Sequence, residues 1–150
     1  MTCYNLDIYQ NIFNDLSNNF DNLKKENIIF KNHNDYILLK YKKEKLDENN
    51  INTLGLIRSC IFKNNKLISY SPPKSTNYNN FKINNNISEC SIEEFIDGTM
   101  INLYYDNNIQ GDHRSKWQIS TKSFIGAQNN YFKKYVNDKS FRTMFIETRL

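Results

Sequence analysis

Glycine and proline are both scarce in this chain, four and two in 150 residues. Gly55, Gly98, Gly111 and Gly126 are scattered, so there is no Walker loop, no GxGxxG turn and no glycine-rich cradle for phosphate. P-loop and Rossmann chemistry are thereby excluded. The two prolines are adjacent, Pro72-Pro73, and mark one place where strand pairing must stop. Cys3, Cys60 and Cys90 are odd in number and lack CxxC spacing, which argues against a disulfide framework and a zinc site and for core thiols in a reducing compartment. His33 and His113 have no carboxylate or cysteine partner at metal-ligand spacing, so they read as surface histidines. No apolar run approaches the ~20 residues a bilayer span needs, and no basic stretch followed by an apolar one opens the chain. These absences predict an intracellular, cytoplasmic protein without a membrane partner. Without repeats or a Pro, Gly or Ser linker, residues 1–150 read as a single domain.

Core material is sufficient. Hydrophobic residues make up 39% and aromatics 14%, and a domain of this length can bury roughly 70% of its unfolded surface. The formal charge of +4 favours polyanions only weakly, because such a field is screened within about 8–10 Å at cellular salt. Asn-rich clusters at Asn49-Asn50, Asn79-Asn80 and Asn84-Asn85-Asn86 separate apolar runs and suit turns. The Asn, Ile and Lys bias is equally what an AT-rich genome, viral or cellular, would encode.

From Leu6 to about Lys25, Ile8, Ile12, Phe13, Leu16, Phe20 and Leu23 recur at three-to-four-residue spacing and predict an amphipathic helix packed on a sheet. Tyr36 to Lys42 reads as a strand. Arg58 to Lys63 pairs with Lys66 to Tyr70 across Asn64-Asn65, a link suited to a primed two-residue turn. Pro72-Pro73 then hands the chain to an exposed loop carrying Lys74. Ser91 to Tyr105 reads as a second long strand containing Asp97-Gly98, with Lys116 to Ser123 as its antiparallel return. Gly126 is expected to open a helix through Val136, and Ser140 to cap a last one with Phe141, Met144 and Phe145 inward. The fold class expected is α+β, an N-terminal amphipathic helix on a mainly antiparallel sheet.

Four words stand in order along this frame: Arg58-Ser59-Cys60-Ile61-Phe62, Pro73-Lys74-Ser75-Thr76-Asn77, Glu94 through Thr99, and Ser120-Thr121-Lys122-Ser123-Phe124-Ile125-Gly126. Together they resemble the N-terminal half of the adenylyltransferase domain of phage-type ATP-dependent RNA ligases, members of the covalent nucleotidyltransferases. The resemblance covers most of residues 36 to 130 and implies a partial nucleotidyltransferase fold of the ATP-grasp-like ligase kind. It implies ATP and magnesium as cofactors if the activity is retained, and RNA or nucleotide as partner. By the same resemblance Arg58 and Lys74 would contact a triphosphate or RNA phosphate, and Lys122 would neutralise the α-phosphate. Gly98 would let the backbone approach the nucleotide, and Asp97 would contact the ribose or orient the pocket.

The family's motif lysine attacks the α-phosphate of ATP to form lysyl–AMP, and a nucleophilic amine is indispensable to that step. Aligning Asp97-Gly98 with the family's Asp-Gly puts Phe95 at the nucleophile position. A phenyl ring cannot form a phosphoramidate, and a one-residue slip supplies no lysine between Lys82 and Lys116. The later family motifs are not recognisable, and Glu147 reads better as part of a capped helix than as a metal contact. The chain therefore resembles the first half of such an enzyme, cut short or degenerate, a pseudoenzyme that binds ATP or RNA phosphate. Three alternatives stay open: Lys74 or Lys122 repurposed as nucleophile, a noncatalytic nucleic-acid or protein interaction module, and a fortuitous likeness. Tyr104, Tyr105 and Trp117 could stack bases or pack across strands.

Overall fold

The computed structural model of the chain describes residues 6–18, 27–94, 96–130 and 139–148. Helix α1 (Leu6–Asn18) follows from the apolar spacing near the N-terminus, but its buried pair is Tyr9 and Phe13. Ile8, expected inward, is 45% exposed, because residues 9 and 13 stack one turn apart over the sheet and position 8 lies about 100° round the helix. The side chains of Ile12 and Leu16, and Phe20 and Leu23 altogether, lie outside the described residues. Phe13 stacks on Phe62 with ring centres 3.9 Å apart. Gln10 fixes the helix along the sheet, donating to the Asn65 carbonyl at 2.8 Å and accepting from the Leu67 amide at 3.1 Å.

The sheet beneath is an antiparallel meander of β1 (Ile28–His33), β2 (Tyr36–Tyr41), β3 (Cys60–Lys63) and β4 (Lys66–Tyr70). The expected hairpin is present: Lys63 pairs with Lys66, and Asn64 and Asn65 take φ of 49° and 60°, the left-handed pair a primed turn requires. Strand β1 is a finding, since its polar end Lys31-Asn32-His33 hides the alternation. Alternation decides the two faces. Phe30, Leu39, Cys60 and Phe62 face α1 in one core, while Leu38 and Ile61 face the other way and meet Tyr104 in a second.

Tyr104 belongs to a smaller antiparallel sheet, β5 (Ile101–Tyr105), β6 (Trp117–Thr121) and β7 (Phe124–Ile125). The four-stranded sheet is thus packed between α1 and the small sheet, a mixed α and β architecture with two antiparallel sheets. The expectation of a strand starting at Ser91 is corrected. Pairing begins at Ile101, opposite Thr121, and the chain turns at Lys122-Ser123 straight into β7. Among the described residues no strand pairs with residues 91–94 or 96–100, and Ile92 and Ile96 are exposed.

Three further expectations change. Gly126 opens no helix over residues 126–130: Gly126 and Ala127 both take positive φ, 81° and 53°, which breaks the right-handed run. Residues 131–136 of that expected helix lie outside the described part. Asn79 and Asn80, expected in a loop, fall inside helix α2 (Tyr78–Asn84), because the Asn77 side chain accepts from the Asn80 amide at 2.9 Å and caps its start. Ser140 caps α3 (Phe141–Glu147) as expected, but Met144 is exposed while Phe141 and Phe145 are half-buried. Among the described residues no helix is long and apolar enough to cross a membrane.

Candidate phosphate-binding site

A concavity of about 350 Å³ opens where the end of β6 meets the approach to β5 and the approach to β3. Arg58, Gly98 and Lys122, distant in sequence, all line it. Lys122 is delivered by the two-residue turn between β6 and β7, in which the Thr121 hydroxyl accepts from the Ser123 amide at 3.4 Å. Its ammonium lies 4.9 Å from the centre of the buried Tyr41 ring, a cation–π contact that favours keeping the charge at this spot.

Arg58 leaves the short turn Leu54–Leu56 through Ile57 and precedes the buried Ser59. Its Nε is fully covered and has no hydrogen-bond partner. A covered donor without an acceptor is costly, by about 1–3 kcal/mol, until something accepts from the group. Lys74 does not line the cavity. It is exposed, and its ammonium donates to the Ser75 carbonyl and hydroxyl at 3.1 and 3.2 Å. Its backbone is strapped to the turn before Arg58, the Lys74 amide donating to the Gly55 carbonyl at 3.0 Å. Gly55 is closely surrounded: a Cβ there would stand 3.3 Å from Ile51 Cγ1, a tight contact, and 3.5 Å from Lys74 Cβ, an ordinary one.

The cations act on one another. Burial lowers the Lys122 pKa from 10.5, and the charges of Arg58, Lys40, Lys43 and Lys74 lower it further. Burial and then Lys31 lower Lys40 in the same way. Among the described residues the ion pairs are Lys63–Asp106 and Lys139–Glu147, and none of these clustered cations takes part in them. Positive charge is therefore concentrated with no ion-pair partner among the described residues, an arrangement that attracts an anion.

Lys40 and Lys43 were not legible as site residues, although strand alternation puts Lys40 on the same face as Leu38. Lys40 Nζ donates to the Ser123 hydroxyl at 2.8 Å, tying the four-stranded sheet to the Lys122 turn. Asp97 is exposed and is not among the lining residues, whereas its neighbour Gly98 is. A Cβ on Gly98 would meet nothing within 4 Å, so packing does not demand glycine here. Phe95, the residue aligned with the family's nucleophile, lies outside the described residues.

Other expected features are placed elsewhere. Glu147 is paired with Lys139 at 2.7 Å on the exposed side of α3. Tyr104 is buried between the sheets, so it packs and does not stack on a ligand. Tyr105 and Trp117 remain half-exposed or exposed, with ring centres 5.2 Å apart, and His113 stands 5.1 Å from Tyr105. Cys60 is a core thiol whose pKa burial pushes up to about 12. Cys90 is half-buried and free, and Cys3 lies outside the described residues. No group of three or more His, Cys, Asp or Glu among the described residues could hold a metal ion.

Comparison with protein-family models, with curated proteins and with solved structures gives no match.

Proposed function

We propose that this chain is an RNA-ligase-like nucleotidyltransferase domain that binds the phosphates of ATP or of an RNA end without transferring AMP through a motif lysine. The observation that carries the reading is the meeting of Arg58 and Lys122 at one cavity, beside Gly98 and within electrostatic reach of Lys74. Arg58 and Lys122 would bind a phosphate by charge-assisted hydrogen bonds, the strongest class such groups make. Thr121 and Asn129, which line the same wall, are hydrogen-bonded to each other at 3.3 Å and offer polar contacts for sugar hydroxyls. A volume near 350 Å³ is at the small end of the roughly 300–1,000 Å³ common for ligand sites, which suits one nucleotide. Magnesium would come with a triphosphate, whose oxygens bind it.

The experiment is titration of the chain with a fluorescent ATP analogue at low salt. Saturable binding that weakens with salt and is lost in Arg58→Ala and Lys122→Ala is the expected result. Wild-type binding unchanged by both substitutions would refute the reading. A second reading has one observation in its favour. A lysine whose pKa is lowered by burial and neighbouring cations is the kind of amine that attacks phosphorus. Incubation with α-labelled ATP and magnesium separates the two: alkali-stable, acid-labile label on the protein, as a phosphoramidate gives, that disappears in Lys122→Ala would make Lys122 the nucleophile, and no label keeps the chain a binder.

A further inference from the structure

A second concavity, about 310 Å³, adjoins the first and is lined by Lys31, Asn32, His33, Leu38, Ser123, Phe124 and Ile125. Ser123 lines both and is the ridge between them. Two ammonium groups straddle it: Lys40 donates to its hydroxyl at 2.8 Å and Lys31 to its carbonyl at 3.0 Å. Lys31 pairs with Leu38 across the β1–β2 ladder, so Lys40, two residues along, is its diagonal neighbour on the same face, roughly 7–8 Å away. Neither takes part in the ion pairs found among the described residues. Phe124 supplies an apolar wall, 46% exposed, with the Lys31 ammonium 4.0 Å from its ring centre.

Positive groups thus run without interruption from Lys74 and Arg58 through Lys122 and Lys40 to Lys31, past two hollows in succession. A mononucleotide would occupy one hollow and leave the Lys31 end unused. A chain with one negative charge per unit and an aromatic base on each would use both, because ammonium groups follow its phosphates while a ring packs on its bases.

Resting on the reading of the first cavity given above, we propose that the Lys31–Phe124 hollow is the subsite for the next nucleotide of a single-stranded oligonucleotide. The oligonucleotide's terminal phosphate is held by Arg58 and Lys122. Its connecting phosphate crosses the Ser123 ridge between Lys40 and Lys31, and the following base packs on Phe124. No covalent step is involved.

The test measures the affinity of the full chain for AMP and for 5′-phosphorylated RNAs of two, three and six nucleotides, by competition against a labelled hexanucleotide. Affinity is expected to rise about tenfold or more from one nucleotide to two or three. Lys31→Gln, which keeps a donor for the Ser123 carbonyl without the charge, should remove part of that gain and lower the salt dependence by about one phosphate contact. Phe124→Leu should remove the stacking part. Both variants should bind AMP as the wild type does. Equal affinity for one and six nucleotides, or variants that weaken AMP and hexanucleotide by the same factor, would overturn the proposal while leaving the first cavity's role intact. If AMP fails to bind, the first reading falls, and this proposal, which places the terminal phosphate in the same cavity, falls with it.

Discussion

Lys63 and Asp106 form a buried ion pair between the two sheets, with Lys63 Nζ 2.8 Å from a carboxylate whose side chain is fully covered. Tyr36 donates to the same oxygen at 2.5 Å, and the Asn108 amide and side chain donate to the other at 2.9 and 3.0 Å. The carboxylate is therefore fully supplied with donors, as a buried charge must be. Asp106→Asn leaves the Lys63 charge buried and unpaired and should cost about 3–5 kcal/mol in urea unfolding. The pair Lys63→Met with Asp106→Leu should recover most of that loss; a double variant no more stable than Asp106→Asn would show that Asp106 acts mainly through the Asn108 loop.

The same carboxyl sets an acid limit. Burial pushes its pKa up, but the hydrogen bonds from Lys63, Tyr36 and Asn108 outweigh it and bring it down to about 2. A carboxyl lowered in the folded state contributes stability in full above its unfolded value, about 3.9, and loses it as pH falls toward about 2. Urea midpoints recorded between pH 5 and pH 2 should fall for the wild type. The Asp106→Asn variant should lack this part of the decline.

Lys122 works in the opposite direction. Burial and its cationic neighbours lower its pKa below 10.5, so charge at this position opposes folding. As pH rises through the folded value the native chain releases its proton first, and stability rises until the unfolded lysine titrates as well. Lys122→Met should hold or raise the melting temperature, by up to about 1 kcal/mol of stability, while weakening nucleotide binding about tenfold or more. A marked loss of stability would mean that the cation–π contact with Tyr41 outweighs the repulsion.

Asn65 sits at φ 60° in the β3–β4 turn, where glycine carries no Cβ penalty. Asn65→Gly should stabilise the chain by up to about 1 kcal/mol. The backbone carbonyl that accepts from Gln10 is unchanged by this substitution, so the α1 anchor is kept. A fall in melting temperature would point to a side-chain role for Asn65.

Phe13→Ala should cost about 3–5 kcal/mol, because it removes the ring stacked on Phe62 at the centre of the α1 core. Ile8→Ala, on the exposed side of the same helix, should stay within about 0.5 kcal/mol. Chemical unfolding of both variants checks the assignment of the helix faces.

Local chemistry wrote part of this protein into its sequence. Asn64-Asn65 between two apolar runs dictates a hairpin, Ser140 caps a helix, and alternation from Tyr36 to Tyr41 sends Leu38 and Leu39 to opposite sides. Those effects act over a few residues and need no partner. Where an outcome depended on a partner, the sequence was silent or misleading. The segment before Ile101 has strand-forming side chains, but among the described residues no strand lies opposite it, since β6 ends at Thr121. Arg58 and Lys122 could be singled out one by one, yet their meeting at one cavity is set by the stacking of two sheets. Lys31 and Lys40 acquire a possible use only because that stacking lays the Ser123 turn over them. Charge and propensity are properties of residues and can be read in order; proximity between residues 31 and 123 belongs to the packed chain, and only the tertiary fold decides it.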